Sequence, residues 1–160
     1  MPDPHYPEGN EPMIEQTHST GRTRPYPLPT VLRAIARTVS APGGPLPEPH
    51  RIDWPHRIRG YDQATTEFPA ALLGLASGRL ADIAAWAEAL HGTRVTVFTD
   101  PEQTTITVIG RTSSGPVIAV YDTVRDWPLD TRFGERDIAA DELAAVAADV
   151  RSAESLAGAR

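Results

Sequence analysis

The chain has 160 residues, 16 of them proline, with no cysteine and no lysine, and 15 arginines against 21 acids give a net charge of −6. This excludes a disulfide framework, a thiolate nucleophile, a cysteine-ligated metal and a Schiff-base lysine. No run of about 18 uncharged apolar residues is present to span a membrane, and the first residues carry acids and prolines rather than a basic, apolar leader, so a cytoplasmic location is expected.

Proline divides the sequence, with twelve of the 16 in residues 1–55. Residues 1–29 show no hydrophobic period and read as a disordered arm. Within 30–40, Val31, Leu32, Ile35 and Val39 fall at helical spacing behind Thr30, a potential cap. A helix of that length must dock or fray. Residues 41–49 (APGGPLPEP) then read as a linker. The expected organisation is a proline-rich arm and linker over 1–50, a compact domain over 51–155 and a tail over 156–160.

Pro69, with Leu72, Leu73 and Leu75 behind it, suits the first turn of a helix. The clearest helix is 79–91, where Leu80, Ile83, Ala87 and Leu90 form one stripe beside Trp86 and Gly92 supplies a stop. Three strands follow. RVTVFT over 94–99 alternates, an Asp-Pro turn spans 100–103, TTITVIGR occupies 104–111, and VIAVYDTV occupies 117–124 behind a TSSG turn. Residues 125–136 read as a loop. In it Asp126 and Asp130 continue a four-residue spacing from Asp122, and a solvated acidic loop is the expected reading. A last helix runs from about 138 to 153, with Asp141 and Glu142 in its first turn.

The fold class is therefore α+β, a helix, a three-stranded antiparallel meander and a helix. Over residues 70–153 that order resembles the topology of double-stranded-RNA-binding domains. The resemblance implies basic residues at the start of the last helix, where this chain has Asp137, Asp141 and Glu142.

Alternation places Val95, Val97, Ile106, Val108, Ile118 and Val120 on the core face. The second face receives Thr96, Phe98, Thr105, Thr107, Ile109, Ala119 and Tyr121. Phe98, Ile109 and Tyr121 together would make an apolar patch that needs a cover. The segment 50–61 (HRIDWPHRIRGY) is the nearest candidate, with Ile52, Trp54 and Ile58 as its apolar side; a second copy of the chain is the competitor. The candidate partner-binding residues are Arg51, Trp54, Arg57, Arg59, Tyr61, Phe98, Ile109 and Tyr121.

These features favour a small non-enzymatic interaction or regulatory protein, which binds another protein through its sheet face and N-terminal arm. Two other functions are open. The arginine and aromatic side chains of 50–61 can stack on and neutralise nucleic acid, although the net acidic balance opposes it. His50, Asp53 and His56, at three-residue spacing, or His91, can serve a small enzyme or ligand site; Pro49 and Pro55 keep the first three off a common helix face. No cofactor and no metal are expected.

Overall fold

Alternation within 94–99, 104–111 and 117–124 dictates strands with one continuous apolar side. The computed structural model describes residues 26–54, 69–128 and 133–159. In it Leu28–Val39 (α1), Arg51–Asp53 (β1), Ala71–Gly74 (β2), Leu80–Ala89 (α2), His91–Thr99 (β3), Thr104–Arg111 (β4), Val117–Val124 (β5), Gly134–Ile138 (β6) and Ala140–Gly158 (α3) follow in chain order. The strands form a single sheet in the order β1-β2-β5-β4-β3-β6. All pairings are antiparallel except β2 with β5.

β4 and β5 have the expected bounds, and the α+β class holds. Asp100 closes the β3–β4 turn, its carboxylate accepting from the backbone N–H of Glu102 and Gln103 at 2.8 and 2.9 Å. Val95, Val108 and Val120 lie side by side across three strands, with Val97 opposite Ile106. All are fully buried in one cluster with Val31 and Ile35 from α1, Ile83 and Trp86 from α2, and Leu143 and Ala147 from α3.

The sheet is wider than a three-stranded meander: the edge strand or arm that 50–61 also suggests by its alternation joins it as β1, and two short strands, β2 and β6, carry no strand pattern of their own. Residues 71–74, expected in a helix, form β2. Four consecutive apolar residues carry no period that separates strand from helix, and beside the parallel strand β5 such a run is stable as a strand, with Ala71 and Leu73 in the core. β6 replaces part of the expected 125–136 loop. GERDI has weak strand propensity, and its charged side chains suit an edge. β1, also at an edge, pairs Ile52 with Leu73.

Four boundaries also differ. α1 starts at Leu28 rather than behind Thr30, with Pro27 at its cap position; prolines are tolerated in a first turn because its N–H groups have no helical acceptor. α2 ends at Ala89, and Gly92 does not stop it. Instead His91 and Gly92 open β3, and the positive φ of 61° at Gly92 falls at the irregularity in β3–β4 pairing between His91 and Arg94. α3 runs on to Gly158, so most of the expected tail is helical; alanine, glutamate and leucine favour this.

The linker is tied down. The Trp86 indole N–H donates to the Pro47 carbonyl at 3.1 Å, and Leu46 packs on the core. α1, placed in the arm by sequence, thus shares the core of the residues that follow it. The disorder expected of the arm falls, for residues 1–25, outside the described residues. Among the described residues no helix is long and apolar enough to cross a membrane.

Candidate functional site: the outer sheet face

The cluster that joins the three helices contains the core-face strand residues and neither Ile109 nor Ala119, which alternate with them on β4 and β5. The helices therefore cover one side of the sheet. The other side is described by rows running across the strands. Arg51, Gly74, Tyr121, Thr107, Thr96 and Asp137 make one row. Leu72, Ala119, Ile109 and Arg94 lie in a second, and Thr123, Thr105, Phe98 and Glu135 in a third.

These rows correct the expected patch. Phe98, Ile109 and Tyr121 share the face but sit in three different rows, with Thr105 and Thr107 beside Phe98 and Tyr121. Phe98 is 43 % exposed, whereas Ile109 is buried and Tyr121 half-buried. The register that alternation cannot supply is set here by the turns.

Tyr121 owes its position to Gly74. A Cβ at residue 74 would stand 2.8 Å from the Tyr121 hydroxyl, so the missing side chain leaves the space that the ring fills. Arg51, opposite Gly74, forms an ion pair with Asp53 at 2.6 Å. Hydrogen bonding to that carboxylate, and then its charge, raise the Arg51 pKa above its ordinary value.

At the other edge Asp137 accepts from Arg94 at 2.8 Å and from the Thr96 hydroxyl at 2.9 Å. The Arg94 hydrogen bond first, and that of Thr96 next, hold the Asp137 carboxyl below the usual carboxylate range. A depressed folded value means that the stabilisation is complete above the ordinary pKa of about 3.9 and is lost as pH falls through the lowered value. Solvent screening of this half-exposed pair keeps it small. An NMR titration should find the Asp137 midpoint below those of unpaired carboxylates, and Arg94→Gln should raise it. An unchanged midpoint in that variant would show that the ion pair does not form in solution.

The described apolar residues of the 50–61 segment do not cover this face. Ile52 and Trp54 pack against the helix-side core, because antiparallel pairing of Ile52 with Leu73 turns the alternate residues Arg51 and Asp53 outward. Ile58, Arg57, Arg59, Tyr61 and His56 lie outside the described residues. His50 meets the Gly74 carbonyl through Nδ1 at 2.9 Å, and His91 lies on β3 opposite Arg111 rather than at a helix end. Among the described residues no three metal-ligating side chains come together.

Sequence reasoning also misplaced two aspartates. Asp122 is buried, not in a solvated loop, and its Oδ2 accepts from the Ser77 hydroxyl and the Gly78 N–H, each at 2.9 Å. Asp126 accepts from the Leu80 N–H at 2.8 Å, capping α2 from a distant part of the chain. Asp130 lies outside the described residues. Phe133 and Glu135, beside the outer face at β6, were missed because β6 itself gave no alternating apolar signal.

The arrangement defines an α+β sandwich of two layers, with helices on one face of a mixed sheet. No family model matches the chain, and neither does any curated protein or solved structure.

Proposed function

We propose that the protein is a small non-enzymatic, cytoplasmic interaction protein that binds another protein through its outer sheet face, with the N-terminal arm contributing. The observation that carries this reading is the exposed part of the outer face: Ile109 and Ala119 are buried, but Phe98 is left 43 % exposed among Thr96, Thr105 and Thr107. Threonines are stiff at χ1 and stand on a pleated surface in fixed positions, so little side-chain freedom is lost when a partner settles on them. Phenylalanine is enriched at the centres of such contacts.

The test is capture of a partner from extract of the native cell by the full chain. Phe98→Thr retains a strand-forming residue, so its folding stability is expected to change by less than about 1 kcal/mol. The wild type should sediment as a monomer and retain a defined protein that Phe98→Thr loses. Deletion of residues 1–25 should weaken the retention. Equal capture by wild type and Phe98→Thr refutes the reading, as does salt-sensitive retention of nucleic acid in place of protein. A wild type at twice the monomer mass makes a second copy the occupant.

A further inference from the structure

The following inference rests on the reading above and specifies where, and by what chemistry, the partner is held. β6 ends the sheet. It pairs with β3 on one side and with no strand on the other among the described residues. An edge strand presents alternate backbone N–H and C=O groups to any segment that can extend the sheet. Two of the three phenylalanines of the chain stand at this corner. Phe98 is the cross-strand partner of Glu135, and Phe133 directly precedes Gly134, the partner of Thr99. Both are exposed, Phe133 by 65 %. Charged residues alone would guard an edge, but two exposed phenylalanines beside it serve no such purpose.

The register argues against a second copy as occupant. In a symmetric antiparallel pair of β6 strands, outer-face residues must meet outer-face residues. Glu135 then faces Asp137 or its own equivalent, or Asp137 faces its equivalent. Each arrangement opposes carboxylates at neutral pH, which destabilises a cross-strand pair. The same geometry favours a basic side chain opposite Glu135, on a chain whose net charge is −6.

We propose that β6 adds an extended strand from a partner protein, with arginine or lysine opposite Glu135 and an apolar side chain two residues along, beside Phe133 and Phe98. Backbone hydrogen bonds hold the strand, and the acidic and aromatic positions select it.

Two synthetic peptides test this on the full chain by NMR titration: acetyl-Thr-Lys-Thr-Arg-Thr-Leu-Thr-amide and its counterpart with glutamate at both basic positions. The basic peptide should shift the β6 amides and slow their exchange, and its binding should weaken with salt. The acidic peptide should bind about tenfold more weakly, and Glu135→Lys should remove most of that preference, since one of the two charged cross-strand pairs changes from opposite to like charge. The proposal is overturned if the basic peptide leaves the β6 amides unmoved, if Glu135→Lys does not alter the preference, or if the shifts map to β1. Capture of the native partner separates the two readings. Loss in Phe98→Thr with full retention in Glu135→Lys keeps the outer-face function and discards the β6 site. Retention in both variants discards the two together.

Discussion

Replacing Trp86 by alanine is expected to destabilise the protein by about 3–5 kcal/mol, the range for removing a fully buried tryptophan or phenylalanine side chain. Trp86 has no exposed surface and is the largest side chain in the core. It also performs a second task, since its indole N–H satisfies the Pro47 carbonyl and so fastens the 41–49 connector to α2. The two losses overlap and do not add. Trp86→Phe separates them: it retains most of the apolar volume and removes the hydrogen bond, so a cost of about 1–2 kcal/mol is expected. Urea unfolding gives both numbers. A cost under about 1 kcal/mol for alanine would mean that the site is not a packed core. If the connector is fastened through Trp86, hydrogen exchange in α1 should also accelerate in both variants.

The parts of this fold that could be read in the sequence are those in which local pattern and final environment agree. β4 and β5 are β-branched, alternate, and are closed by turns whose residues have the required chemistry, and their bounds were legible. The helix stripe of Leu80, Ile83 and Ala87 was legible for the same reason. β2 was not. Ala71, Leu72, Leu73 and Gly74 become a strand because β5 offers a parallel neighbour, with partners 47 residues later in the chain. β6 is the opposite case: nothing apolar announces it, and its pairing with β3 is assisted by Asp137 reaching Arg94 and Thr96.

The candidate site divides in the same way. Alternation alone puts Phe98, Ile109 and Tyr121 on the outer face, because a strand has a period of two. It does not give their spacing across strands, which depends on the turn lengths, nor the position of β1, which sends Trp54 to the core side. The space for Tyr121 was also invisible, since it depends on a glycine in a strand that was itself unread.

Replacing Asp122 by alanine is expected to cost about 3 kcal/mol, nearly as much as removing a core side chain, although the residue is polar. The residue is 3 % exposed, and its carboxylate receives two hydrogen bonds, from the Ser77 hydroxyl and the Gly78 N–H. A hydrogen bond to a charged group contributes about 1.5–3 kcal/mol, and a buried donor left without an acceptor costs about 1–3 kcal/mol. Ser77 can turn to water, but the Gly78 N–H is fixed by its backbone. Around it the Gly78 carbonyl accepts from the Arg125 N–H at 2.9 Å, and Leu75 donates to the Tyr121 carbonyl at 2.9 Å. The loop between β2 and α2 is thus held against the end of β5 at several points, and among the described residues Asp122 is the one buried carboxylate there. Asp122→Asn retains an acceptor oxygen without the charge, so an intermediate loss is expected. Amides 75–80 should exchange faster in both variants, in the same order as the stability losses. If Asp122→Ala unfolds at the wild-type urea concentration with unchanged exchange, the carboxylate does not hold the loop. Asp122 pairs with Ile106 on the core side, so well below the unfolding midpoint Asp122→Ala should still capture the partner that Phe98→Thr loses. That contrast assigns Asp122 to the architecture and Phe98 to recognition, and loss of capture in both variants would instead tie recognition to the integrity of the β2–α2 loop.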